Sequence, residues 1–216
     1  YGLSWMVATD HGGPNHARIS RDRAYPNLLR ARRETPGVLQ FFGMELNTPA
    51  AEHSSIIVPK TPAEREVLFG IEQRFDRAEA WPIDPARNTE AHMLEALKHM
   101  RALTAPPVVI ANHPSRTATG MGVYGLVSPS ELRAWNDTAP NVAVGMEGAP
   151  GHQAGPIQAS SNGEAAGVRG SYRRAPTLGG FDQMTARLGG FWDSMLAEGR
   201  RWWITSTSDA HRHYTE

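Results

Sequence analysis

The stretch WWITSTSDAH, residues 202–211, decides the fold, because an apolar, strand-like run ends there in Asp209 and His211. On an extended backbone, residues two apart point to the same side. A carboxylate and an imidazole that leave a strand end together can share one metal site or occupy two adjacent sites. Asp and His are also common in turns after strands, so this stretch on its own favours a plain turn over a metal site.

The same arrangement, a strand-like run with a metal-capable side chain at its boundary, recurs along the chain. His53 opens the run 54–58, and four further runs end at such residues: 5–9 at Asp10 and His11, 38–44 at Glu45, 107–112 at His113 and 141–146 at Glu147. In α/β barrels and open α/β sheets, the active site lies at the carboxyl ends of the strands. These side chains are therefore predicted to converge on one polar site.

Segments of helical periodicity alternate with these runs, which is the pattern of βα units and predicts an α/β fold. Two of the segments begin with a sequence typical of a capping box with proline at the first helical position, Thr61-Pro62-Ala63-Glu64 and Ser128-Pro129-Ser130-Glu131. Helices are predicted over about 24–34, 62–76, 89–103 and 128–135.

A further helical face is predicted near the C-terminal end of the chain. It consists of apolar residues at helical spacing and is interrupted by Gly189-Gly190. The residues of this face are Met184, Leu188, Phe191, Met195 and Leu196.

The segment 148–180 has no periodicity and is rich in Gly, Ala, Ser and Pro. It joins two predicted elements within one domain, where a long loop is usually a lid or a binding loop. It contains His152, a candidate substrate-binding residue.

Composition narrows the class of protein. A chain of 216 residues can form one domain, 1–216, with a sizeable core, and no apolar run of about 18 or more residues predicts a membrane span. The 22 basic and 22 acidic residues cancel, which argues against nucleic acid as a partner. Because cysteine is absent, a metal must bind through imidazole and carboxylate, ligands that suit zinc, manganese or iron. The chain starts at Tyr1, directly before a strand, so a native N-terminus is expected upstream and no compartment is assigned.

Five motifs resemble, in order and spacing, those of the PHP (polymerase and histidinol phosphatase) metallohydrolases. They are Thr9-Asp10-His11, Gly43-Met44-Glu45, His53, Asn112-His113-Pro114 and Ser208-Asp209-Ala210-His211. The resemblance spans nearly the whole chain and implies a distorted (β/α)7 TIM-like barrel with two to three divalent metal ions. The His-x-His strand that opens the family's first motif is absent here, so the barrel is expected to lack its first strand, through truncation or natural loss.

The resemblance also implies roles for individual residues. Glu45 would bridge two metals, joined by Asp209 on the first. His53 and His113 would hold the second metal, and His11 and His211 the third. Glu147 matches a less constant acidic position among the metal ligands, and Asp10 is expected to orient an imidazole without binding the metal itself.

The chemistry expected from such a site is hydrolysis. Closely spaced divalent metals lower the pKa of a bound water and neutralise charge on a phosphoryl oxygen, so no Ser or Cys nucleophile is needed. Glu45 and His211 are the predicted catalytic residues, and Arg18, Arg116 and His152 the predicted substrate contacts, since arginine can grip phosphate with two hydrogen bonds. A small phosphorylated substrate is predicted. An amide or carboxylic ester hydrolase and a non-catalytic PHP-like binding module are the alternatives, and the oligomeric state is left open.

Overall fold

The computed structural model describes residues 2–150, 172, 177–178 and 180–207. The chain has the predicted α/β class, and its strands form one six-stranded mixed sheet in the order β1-β2-β3-β4-β5-β6. The strands are β1 (Trp5–His11), β2 (Leu39–Asn47), β3 (His53–Val58), β4 (Val108–Asn112), β5 (Ala143–Ala149) and β6 (Trp203–Ser206).

Parallel and antiparallel pairs occur in the same sheet. β1 pairs with β2 in parallel, as β5 does with β6. β2 and β3 are antiparallel and are joined directly by the turn at 48–52, without the helix that would separate two strands of a βα repeat. This hairpin is possible because antiparallel neighbours need only a short connection, whereas parallel neighbours need a crossover.

The helices lie between the strands. They are α1 (His16–Ile19), α2 (Tyr25–Glu34), α3 (Glu64–Phe75), α4 (Glu90–Arg101), α5 (Pro129–Thr138), α6 (Gln183–Ala186) and α7 (Phe191–Ala197). A π-helical turn at Ser20–Ala24 joins α1 to α2, and a short 3-10 helix covers Pro85–Arg87. Within residues 2–150, 172, 177–178 and 180–207, no helix is both long and apolar enough to cross a membrane.

Two predicted helix starts behave differently. Ser128 accepts a hydrogen bond from the Glu131 backbone N–H at 3.1 Å, so it caps α5 as predicted. The predicted capping box at Thr61 is wrong, because α3 begins at Glu64 with Ala63 at the cap position. The Glu64 carboxylate cannot turn back to Thr61, since it is held by the Arg32 guanidinium and by the Tyr25 hydroxyl at 3.0 Å.

The predicted single face near the C-terminal end is also wrong. Gly189 adopts a left-handed φ of 67°, and the chain divides there into α6 and α7. As a result, Leu188 is 98% exposed and Leu196 is 46% exposed, whereas Met184 and Met195 are buried.

Two compact units can be distinguished within the chain. The first comprises 1–110 and 134–144, and the second comprises 111–133 and 145–216. In the first, α3 packs against β2, β3 and α4, and apolar side chains such as Met44, Ile56 and Leu68 form the core. In the second, Phe191, Met195 and Trp202 are buried, with the Phe191 and Trp202 rings in edge contact.

Candidate metal centre

The register of three strands brings three metal-capable side chains to one face of the first unit. His11, the last residue of β1, lies opposite Glu45 of β2, and His53, the first residue of β3, lies opposite Asn47. Residues two apart on a strand share a face, so Glu45 and Asn47 point the same way. His53 is therefore the diagonal neighbour of Glu45, within reach of its side chain.

The three side chains form a close group. Within the part of the chain that the structure describes, His11, Glu45 and His53 are the group whose potential ligand atoms all lie within 4.8 Å of one another. The Nε2 atoms of the two imidazoles are 3.2 Å apart, and Nδ1 of His53 is 3.3 Å from Oε1 of Glu45. The imidazole rings stand edge to face, with an angle of 87° between their planes.

The hydrogen bond made by His11 fixes its tautomer. Its Nδ1 lies 2.7 Å from the carbonyl oxygen of Gly12, which can only accept, so Nδ1 carries the hydrogen. A neutral ring in this tautomer has its lone pair on Nε2, the atom that lies 3.2 Å from Nε2 of His53. A metal-binding histidine usually donates its other ring N–H in this way, which orients the ring and makes the free nitrogen a better ligand.

This donor set fits a divalent metal. Two nitrogens bound to one tetrahedral zinc at about 2.0–2.1 Å lie roughly 3.3–3.4 Å apart, close to the separation of the two imidazole nitrogens. Two histidines and one glutamate are also a ligand set of catalytic zinc sites, in which the fourth position holds water or substrate. Glu45 is buried and His53 partly buried, while His11 is exposed, so the group is open to solvent on the His11 side.

The loop after β1 rests on a buried carboxylate. The Gly12 N–H donates to the Glu45 carbonyl oxygen at 2.9 Å, and a Cβ at Gly12 would lie 2.1 Å from Oδ2 of Asp76. Asp76, which directly follows α3, accepts hydrogen bonds from the Asn47 backbone N–H at 2.9 Å and from the Asn47 amide at 3.1 Å. Asp76 is completely buried, and it contacts the residues next to two members of the group.

A second histidine–carboxylate pair lies in the same unit, with His16 half-buried and Glu72 buried. Nδ1 of His16 is 2.6 Å from Oε1 of Glu72, which is completely buried and whose other oxygen has no hydrogen-bond partner among the described residues. The hydrogen bond to Glu72 raises the pKa of His16 above its usual value, against the opposing effect of burial. Burial raises the pKa of Glu72 as well. The folded pair therefore retains protons to higher pH than the same groups in an unfolded chain.

In the second unit, His113 and Glu147 form a buried pair. Oε2 of Glu147 accepts from Nδ1 of His113 at 2.7 Å and from its backbone N–H at 2.8 Å, while Oε1 accepts from the Thr207 hydroxyl. The φ angle of His113 is 38°, in the left-handed region that non-glycine residues seldom adopt and that is enriched at functional sites. The hydrogen bond to Glu147 fixes the orientation of the His113 imidazole through its Nδ1.

The environment of Glu147 acts on its pKa in two directions. Burial opposes ionisation, but the hydrogen bonds from His113 and Thr207 and the charge of His113 outweigh it and hold the pKa below its usual value. Glu147 is therefore ionised at neutral pH, and protein donors engage both of its oxygens. This geometry favours a carboxylate that orients His113.

The remaining predicted site residues are placed as follows. Asp10 alternates with His11 along β1 and lines a groove of about 370 Å³ on the face where Leu28 and Ala31 of α2 lie. Arg18 lies exposed on α1, and Arg116 follows β4, with its N–H donating to the His113 carbonyl oxygen at 2.9 Å. Three predicted site residues lie outside the described residues, namely His152, Asp209 and His211, and so does most of the predicted loop 148–180.

No motif in the sequence marks His16, Glu72 or Asp76 as site residues. A signal for Glu72 exists, since it follows Leu68 by one helical turn on the apolar face of α3 and is therefore expected to be buried. No sequence pattern connects Asp76 to Asn47, because that contact depends on how α3 packs against β2.

Comparison of the chain with protein-family models, with curated proteins and with solved structures finds no match.

Proposed function

We propose that this chain is a metal-dependent hydrolase that acts on phosphate esters of small molecules. The observation that carries the proposal is the group of His11, Glu45 and His53, whose ligand atoms lie within 4.8 Å of one another at the solvent-accessible end of β1. The substrate class rests on the resemblance of the sequence motifs to those of the PHP metallohydrolases. The TIM-like barrel and the site of two to three metals that this resemblance implies are part of the same proposal.

Each residue of the group has a role that follows from its contacts. His11 and His53 bind the metal through Nε2, and Glu45 supplies the negative charge. The Gly12 carbonyl keeps His11 in the required tautomer. A divalent metal held there would supply Lewis acidity, lowering the pKa of a bound water and offsetting charge on the substrate.

His113 is proposed as a further ligand through Nε2, with Glu147 as the carboxylate that orients it. Asp209 and His211 complete the ligands that the resemblance implies, and Arg18, Arg116 and His152 are the proposed substrate contacts. The strain at His113 supports a functional role, since an unfavourable backbone conformation persists where the surrounding structure fixes it.

A hydrolase of amide or carboxylic ester bonds is the second candidate. The observation that favours it is the ligand set itself, because two histidines and one glutamate also hold the zinc of peptidases. The zero net charge of the chain favours neither candidate over the other, but it argues against a nuclease.

The test is an activity screen of metal-stripped protein reconstituted with zinc or manganese. Three substrates separate the candidates: p-nitrophenyl phosphate, bis(p-nitrophenyl) phosphate and p-nitrophenyl acetate. The proposal expects metal-dependent release of p-nitrophenol from at least one phosphate ester.

The variant His53→Asn serves as the negative control for this screen, and His99→Asn, a histidine of α4 next to Arg74, as the matched control. Activity should disappear in the first and remain in the second. Hydrolysis of the acetate alone would replace the proposal with the second candidate. Metal binding without hydrolysis of any substrate would indicate a non-catalytic binding module.

A further inference from the structure

We infer that Asp76 is the positioning residue of the metal centre, holding in place the two backbone segments that carry all three ligands. The inference rests on the proposed function, since it assigns the residue that fixes the geometry of that same site. Asp76 lies directly after α3, contributes no ligand atom to the group and is completely buried.

The first contact of Asp76 is with the β2–β3 hairpin. Its Oδ2 accepts from the Asn47 backbone N–H at 2.9 Å, and both of its oxygens accept from the Asn47 amide, at 3.1 and 3.2 Å. Asn47 pairs with His53 across the hairpin and lies two residues beyond Glu45 on the same strand face. Asp76 thus fixes the residue that lies next to both Glu45 and His53.

The second contact is with the loop after β1. The space that a Cβ of Gly12 would occupy is filled by Oδ2 of Asp76, at 2.1 Å, and by Nδ2 of Asn47, at 3.2 Å. The Gly12 carbonyl accepts the Nδ1 hydrogen of His11, and its N–H donates to the Glu45 carbonyl. The packing of Gly12 against Asp76 therefore fixes the Gly12 carbonyl, and that carbonyl sets the orientation of the His11 ring.

Backbone hydrogen bonds at the end of α3 fix the position of Asp76 itself. Its Oδ1 accepts from the Ala78 N–H at 2.7 Å, and its own N–H donates to the Glu72 carbonyl of the last turn of α3 at 3.0 Å. A carboxylate is required because, among the described residues, every hydrogen-bond partner of its oxygens is an N–H donor. An amide in its place would direct an NH₂ group at one of those donors.

The experiment measures zinc binding by isothermal titration calorimetry, with thermal unfolding recorded for the same samples. Asp76→Asn should weaken zinc binding at least tenfold, the usual effect of losing an outer partner of a metal ligand. The matched control is Glu64→Gln, which removes another buried carboxylate, at the start of α3, that binds Arg32 and Tyr25 instead. Glu64→Gln should bind zinc with an affinity within twofold of that of the wild type, even if its unfolding temperature falls as far as that of Asp76→Asn.

A rescue variant separates positioning from general stability. Asn47→Asp combined with Asp76→Asn exchanges the two side chains, restores one donor-acceptor match between them and should recover part of the lost affinity. Should Asp76→Asn fail to fold, Asn47→Ala carries the test and should weaken zinc binding several-fold. Equal zinc affinities of the wild type and Asp76→Asn would overturn the role of Asp76 but leave the proposed function standing. No zinc binding by the wild type would overturn the proposed function together with it.

Discussion

The Nε2 atoms of His11 and His53 face each other at 3.2 Å, although the two residues are 42 positions apart in the sequence. Nδ1 of His11 donates to a carbonyl oxygen, and Nδ1 of His53 lies beside the Glu45 carboxylate, which also can only accept. The Nε2–Nε2 contact has the length of a hydrogen bond, and which nitrogen donates depends on the tautomer of each ring. In the metal site proposed above, with a hydrogen on each Nδ1, both Nε2 atoms would bind the same ion.

Replacing Glu45 with Gln tests the charge of the centre. The amide keeps the shape of the side chain but lacks the negative charge, so we expect loss of most metal-dependent activity and at least a tenfold weaker zinc affinity. Circular dichroism should show an unchanged fold. Activity within a few-fold of wild type in metal-stripped and reconstituted protein would contradict the role of Glu45.

Replacing Gly12 with Ala tests the close packing of the loop on Asp76. The added methyl group would overlap Oδ2 of Asp76, and overpacking of this kind typically lowers the free energy of unfolding by about 1–3 kcal/mol. Gly13→Ala is the matched control, since a Cβ there meets no atom within 4 Å. Urea unfolding of both variants at neutral pH measures the difference, and an equal effect in the two would show that the space under Gly12 is not restrictive.

The pair of His16 and Glu72 predicts a pH dependence of stability. Because the folded pKa of His16 lies above its unfolded value of 6.5, its contribution is fully present below pH 6.5 and is lost as the pH rises through the folded pKa. NMR titration should place the His16 midpoint above 6.5, and in Glu72→Gln the midpoint should fall. The stability advantage of wild type over His16→Gln should shrink from pH 6 to pH 9. An advantage that grows with pH would contradict the assignment.

Replacing Glu147 with Gln tests the pair in the second unit. Loss of a buried, charge-assisted hydrogen bond to His113 should lower the free energy of unfolding by about 1.5–3 kcal/mol at pH 7. Glu198→Gln is the comparison, because that carboxylate binds Arg133 and Arg200 at the surface, where such pairs contribute little. Urea unfolding should show a clearly larger loss for Glu147→Gln, and an equal loss would contradict the importance of burial.

The sequence predicts the strands because each is an apolar run ending near a polar residue. β1, β3 and β4 begin or end within two residues of the predicted runs, and the α/β class follows from their alternation with helical segments. β2 and β5 continue beyond their apolar runs, so Glu45 and Glu147 lie inside strands. A strand continues past a buried charged residue where other groups satisfy that residue, and a pattern of hydrophobicity alone does not show this.

Part of the candidate site follows from the same reasoning, since His11 and Glu45 end neighbouring apolar runs and parallel pairing places them side by side. The contacts that hold these ligands in place cannot be predicted in this way. Asp76 meets Asn47 and Gly12 only after α3 has packed on β2, and the orientation of His11 by a backbone carbonyl leaves no mark in the side-chain sequence. Sequence patterns identify the ligands more readily than the groups that orient them.

The antiparallel pairing of β2 and β3 has a consequence for the order in which the centre assembles. Glu45 and His53 are separated only by one hairpin and its short turn, and contacts between residues close in sequence form fastest during folding. His11 joins through the parallel pairing of β1 with β2, which requires the intervening helical segment to be in place. We therefore expect a refolding chain to bring Glu45 and His53 together first, and His11 to join them only when β1 pairs with β2.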